Sequence, residues 1–177
     1  MHNETATDLA LLALLLAASV RDLAVRRIPN HLLLAGLLAA LLLDLCAGAP
    51  LARLCASLGG FALGLLLFLP LYCARGMAAG DVKLMATVGA FTGPAMAFEI
   101  ALATCVAGGL MAVVVVVVER RTRDACANLW SLLRPVFMRL CGMPAVAEPM
   151  PRPSVGNLPY GVAIALGGLA VQWIHHG

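Results

Sequence analysis

The sequence predicts an all-α, polytopic membrane fold: about six transmembrane helices with one further helix lying in the membrane interface. Three observations carry this. The first is composition. The 177 residues are 62% hydrophobic and 12% charged, with a mean hydropathy of +0.96. A soluble domain of this length could not hide so much apolar side chain, so lipid must be its solvent. The second is the partition of the chain into apolar runs of spanning length, broken at Gly, Pro and charged residues. The third is the one-sided placement of its arginines. The net charge is only +3. The chain has no charged tail, low-complexity tract or long polar linker, so residues 1–177 are expected to form a single membrane-embedded domain. Nothing in this pattern points to a nucleic-acid partner.

The elements follow in order. The N-terminal run resembles a secretory signal in hydrophobicity, but Glu4 and Asp8 stand where a signal carries basic residues. It is read as a retained first span over residues 7–25, ending in Arg21, Asp22, Arg26 and Arg27. Pro29 then restarts the chain, because it lacks an N–H and restricts the residue before it. Asn30 is placed to cap the second span, residues 31–47. The third span, residues 51–73, carries Gly60 and Gly64 in a small-xxx-small arrangement that lets helices approach closely. Residues 82–118 would extend about 55 Å as one helix, against a hydrocarbon core of about 30 Å. Thr92-Gly93-Pro94 is the break, giving a short span over 81–91 and a longer one over 95–118.

Residues 119–153 form the longest non-spanning segment. Arg120, Asp124, Asn128, Ser131, Pro135 and Arg139 recur at helical spacing, with Leu129, Trp130, Leu133, Phe137 and Leu140 on the other faces. An interfacial helix and an ordinary packed loop helix fit this equally. Prolines 144, 149, 151 and 153 make an extended connector, and the last span covers 155–173. With the N-terminus outside, every one of the 12 lysines and arginines except Arg53 falls on the cytoplasmic side, a strong positive-inside signal. Asp22 and Asp81 then share the cytoplasmic interface.

Two carboxylates at one depth suggest acid–base chemistry. Close carboxylates do not both ionise easily, so they share a proton. One takes a proton from water while the other donates to a scissile carbonyl. A peptide bond is cut this way with no metal, cofactor or covalent intermediate. The plainer reading is that interfacial aspartates partner nearby arginines, and Arg21, Arg26 and Arg27 are at hand for Asp22. Residue spacing leaves both open.

Asp22, Arg26, Ile28, Pro29 and Asn30 form D-x-x-x-R-x-I-P-N. Gly80–Met85 reads GDVKLM, and residues 158–167 read LPYGVAIALG. In this order, over most of the chain, they resemble the type IV prepilin peptidase family of GxGD-type membrane aspartic proteases. The resemblance implies an aspartic endopeptidase with Asp22 and Asp81 as its catalytic pair. It would remove the basic leader from prepilins or pseudopilins at the cytoplasmic face of a bacterial inner membrane, alongside pilus-assembly or secretion proteins. Here GxGD reads Ala78-Ala79-Gly80-Asp81, so Ala replaces the first Gly. Alanine restricts positive φ, which puts the local geometry in question. The chain resembles the short form associated with tight-adherence (Flp-type) pili, implying peptidase without methyltransferase activity.

Other residues carry paired readings. Gly80, Lys83, Arg26 and Tyr160 are candidates for supporting the dyad or contacting substrate. Lys83 equally suits an ammonium snorkelling to the interface, Arg26 an interfacial anchor, and Pro159-Tyr160-Gly161 a helix start with an aromatic anchor. Asp44 and Glu99 fall near the outer face and are read as solvated or locally paired. The six cysteines form no CxxC. Cys46 and Cys55 share the outer side, where an oxidising compartment would allow a pair. His175 and His176 read as a polar terminus. Two non-peptidase readings stand beside the enzyme: a silent scaffold of a pilus-assembly complex, and a small transporter using the aspartates as proton sites, although charge at mid-depth would suit a transporter better. Within the dyad, the N-terminal helix dipole favours Asp81 as the resting carboxylate and Asp22 as its protonated partner, the arginines beside Asp22 opposing this.

Overall fold

The computed structural model describes residues 2–74, 76–118 and 159–176. Among them every regular element is a helix: α1 (His2–Val25), α2 (Asn30–Leu45), α3 (Pro50–Cys73), α4 (Ala79–Val118) and α5 (Tyr160–His176). The chain divides into two compact units, one of Met1–Gly108 with Pro159–Gly177, the other of Gly109–Leu158. The first contains the residues discussed below. The second is described only over 109–118, the end of α4. The interfacial helix expected within 119–153, the proline connector and the first residues of the expected last span lie outside the described residues.

α3 and α4 are long and apolar enough to cross a membrane, and α2 and α5 are shorter apolar helices. Leucines and valines cover the outward faces: Leu9, Leu16 and Val20 of α1 and Leu58 and Leu66 of α3 are exposed. That surface suits hydrocarbon, not water. On α1 the opposite stripe, Leu11, Leu15, Ala18 and Asp22, is buried. These residues recur at spacings of four, three and four, one face of a helix. Asp22 therefore continues the core stripe instead of standing on the solvated face with Arg21. α1 packs on α2 and α5, and α2 on α3. Gln172 Nε2 of α5 donates to Asp8 Oδ1 at 3.3 Å near the start of α1, while the first turn of α5 meets Asp22 near its end. The two helices are thus antiparallel.

The break at Gly93 is present. Its φ of 74° and ψ of 175° are non-helical and bend α4 into two limbs. Glycine alone takes such a conformation without steric cost, and Pro94 behind it brings no N–H. The first limb is not lipid-facing. Val82, Leu84 to Ala90 and Asp81 are all buried, with Lys83 exposed between them, so protein covers most of this short apolar limb. It is enclosed because α3 approaches it backbone to backbone. A Cβ on Gly60 would strike the Gly89 carbonyl, and one on Gly64 would lie 2.6 Å from the Met85 carbonyl oxygen. The four-residue spacing of Gly60 and Gly64 meets the four-residue spacing of Gly89 and Met85, a seam of the small-xxx-small kind.

Asn30 does not cap α2. Pro29 is the capping residue and no side chain bonds the first turn; the Asn30 side chain is engaged elsewhere, as described below. α1 ends through Arg26, which has φ 54° and whose N–H donates to the Asp22 carbonyl at 2.9 Å. This is the left-handed helix ending more usually taken by glycine.

The seam makes a prediction. Gly89→Ala and Gly60→Ala place a methyl against backbone that cannot yield, costing about 1–3 kcal/mol. Gly59→Ala meets only Pro94 Cγ at 3.8 Å and removes a helix-disfavouring glycine. Melting in detergent should drop for the first two and stay level or rise for the third; equal behaviour of all three would refute the seam.

Candidate active site

Asp22 and Asp81 reach the same place from different helices. Asp22 lies near the end of α1 and Asp81 in the first turn of α4. Both are buried, at 6% and 5% exposure. The charge of Asp22 acts directly on the Asp81 carboxyl. Burying a carboxylate is costly unless donors satisfy it. Here backbone amides do so. Gly161 N–H donates to Asp22 Oδ2 at 2.8 Å, and the Val162 N–H, which donates to the Pro159 carbonyl at 3.1 Å, lies close enough to favour the same carboxylate. The Ala78 backbone bonds the Asp81 carboxyl. Asp81 is the third residue of α4 and reaches back to the residue before the helix, the carboxylate half of a capping box. Its own N–H donates to the Ala78 carbonyl at 3.1 Å.

The first turn of α5 bonds one carboxylate and stands near the other. Gly161 bonds Asp22, while the half-buried Tyr160 is within electrostatic reach of Asp81 and has its ring against Gly108, where an added Cβ would be 3.3 Å from Tyr160 Cε1. Gly80 packs on the turn between α1 and α2: a Cβ there would come within 3.3 Å of Ile28 Cβ. Neither Ala78 nor Gly80 has positive φ; among the described residues Arg26 and Gly93 alone do. Alanine in place of the first motif glycine therefore meets no backbone obstacle.

Lys83 is exposed, and its Nζ donates to Asn30 Oδ1 at 3.2 Å. It ties the start of α4 to the first residue of α2. Arg26 acts electrostatically on the Asp22 carboxyl. The remaining acidic residues stand apart from the pair. Glu99 Oε2 pairs with His175 Nε2 at 2.7 Å near the far end of α5, and Asp44 lies near the end of α2. Cys46 and Cys55 are both exposed and are not joined by a disulfide. Among the described residues no three of His, Cys, Asp and Glu gather as metal ligands would.

The amides of Gly161 and Val162 are the components that residue types could not reveal, since they are backbone. A small residue just inside the start of an apolar helix is the available signal, and it is weak.

A membrane protein with two buried carboxylates held by helix starts is the class these features define. The chain matches the type IV leader peptidase family over residues 9–113, and it belongs to that family. Protease chemistry goes with this membership. No curated protein and no solved structure matches the chain.

Because neither position 78 nor position 80 uses a left-handed backbone, Ala78→Gly should leave melting and catalytic turnover unchanged. A large gain of turnover would mean that alanine distorts the site.

Proposed function

We propose that the protein is an aspartic endopeptidase that removes the basic leader from prepilins or pseudopilins at the cytoplasmic face of the bacterial inner membrane, with Asp22 and Asp81 as its catalytic pair. The observation that carries the reading is the burial of both carboxylates, with Asp22 held by the first turn of α5 and its charge felt at Asp81. Leader-peptidase membership supports it, since residues 9–113 contain both aspartates. Six spans in one membrane domain, with both termini outside, is the topology that fits the arginine distribution.

The chemistry balances with one water and one shared proton. The ionised carboxylate takes a proton from water as the oxygen attacks the scissile carbonyl carbon. The protonated carboxyl gives its proton to the carbonyl oxygen, forming a neutral gem-diol. On collapse, the first carboxyl passes its newly gained proton to the leaving nitrogen, the C–N bond breaks, and a gem-diol hydroxyl returns a proton to the second. The products are a carboxylic acid and an amine, and the dyad is restored.

Purified protein in detergent should shorten a synthetic prepilin carrying a basic leader. Asp22→Asn and Asp81→Asn should each lower the rate by about 10²–10⁴-fold while the protein still inserts. Asp44→Asn and Glu99→Gln should retain most activity. Full cleavage by either dyad variant would remove the mechanism, and a wild-type chain that binds prepilin without cutting it would be a scaffold. Reporter fusions after Arg27 and Met77 should read as cytoplasmic, and fusions near Ala49 and at the C-terminus as external. A cytoplasmic C-terminus would break the topology.

A further inference from the structure

The first turn of α5 is built around one oxygen. Gly161 N–H donates to Asp22 Oδ2 at 2.8 Å, with the Val162 amide beside it. A Cβ on Gly161 would lie 2.8 Å from that oxygen, 3.0 Å from Asp22 Cβ and 3.1 Å from Asp22 Cγ. Any side chain at 161 would push the carboxyl off its donors. On its carbonyl side, Gly161 faces Ser19 Oγ at 3.5 Å, so the peptide unit sits closely between α1 and its own helix. The far end of α5 is fixed too, by Gln172 to Asp8 and His175 to Glu99.

We propose that Gly161 is a positioning residue of the dyad: the amides of the first α5 turn hold Asp22 as the anionic, water-activating carboxylate, leaving Asp81 to carry the shared proton. Amide donors stabilise a carboxylate over a carboxylic acid, and the free N–H groups at a helix start add their partial positive charge. Asp22 receives the Gly161 N–H at 2.8 Å, from another helix, with the Arg26 charge nearby. What help Asp81 has comes from its own turn, at Ala78. This reverses the division of roles that the position of each aspartate along its own helix suggests. Asp22 lies near the C-terminal end of α1, but the helix end that governs it is the N-terminus of α5.

This inference rests on the peptidase reading, and the test separates the two. With wild-type protein cutting the prepilin substrate, Gly161→Ala should lower kcat by about 100-fold, the cost of displacing a reacting group by about 1 Å, with KM and melting temperature little changed. Gly168→Ala is the packing control. Its Cβ would meet Leu15 Cδ1 at 2.8 Å, a flexible side-chain end on the same pair of helices, and kcat should hold. Unchanged kcat in Gly161→Ala overturns the proposal, as does a loss shared by Gly168→Ala in step with melting. A second measurement does not need Gly161→Ala to fold. In ¹⁵N-labelled protein the Gly161 amide proton should be strongly deshielded and protected from exchange, and both features should be lost in Asp22→Ala. A Gly161 amide indifferent to Asp22→Ala would overturn the assignment. Failure of the wild-type protein to cut sinks the peptidase reading, whatever the amide shows.

Discussion

A carboxylate buried among leucines has to find hydrogen-bond donors, and in this protein the donors are main-chain amides at helix starts. That requirement organises the rest. Asp22 continues the core-facing stripe of Leu11, Leu15 and Ala18, so it cannot turn to water without unwinding or rotating α1. The partner that satisfies it is the first turn of a helix 139 residues further along the chain. Without α5 in this position, Asp22 would be an unpaired buried charge, a cost of several kcal/mol that a protein avoids by neutralising the group or by not folding that way. The contact is therefore both structural and chemical, and the two roles cannot be separated by inspecting α1 alone.

Bringing Asp81 to the same point sets a second constraint, on distance between helices. The first limb of α4 is enclosed, and a limb enclosed by leucines on every side would sit far from its neighbours. Gly60, Gly64 and Gly89 remove that spacing by letting backbone meet backbone. Gly93 then lets the second limb leave in a new direction. Where lipid is as apolar as leucine, association comes from close packing and not from hydrophobic exclusion. Small residues at four-residue spacing are what make this arrangement available.

Much of this was legible in the sequence. The all-helical class followed from composition, and the α4 break from Thr92-Gly93-Pro94. Asp22 and Asp81 stood out because an ionisable residue beside an apolar run is expensive without a task. What escaped were features that depend on tertiary neighbours. Asn30 after Pro29 has the chemistry of a cap, yet its oxygen accepts from Lys83, a partner invisible to a local reading. The short limb over 81–91 read as a short span, because burial by protein and burial by lipid leave the same apolar signature. Ala78 raised a question about φ that residue type cannot answer and that the backbone does. The donors to Asp22 are amides, and every residue except proline has one.

The polar contacts along α5 complete the argument. An apolar helix rich in small residues approaches its neighbours closely. α5 carries Gly161, Ala163, Ala165, Gly167 and Gly168 beside the buried Ile164 and Val171. Directional bonds add to the hold on its register, with Gly161 on Asp22 at the start and Gln172 on Asp8 eleven residues later. The corresponding residues of α1, Asp8 and Asp22, are 14 apart, so the two bonds bracket nearly the whole contact between these antiparallel helices. A shift of one residue in either direction would break both. Hydrogen bonds discriminate register far more sharply than apolar contact does. The helix that supplies the Gly161 amide to Asp22 is thus held in place at the end remote from it as well as at Asp22 itself.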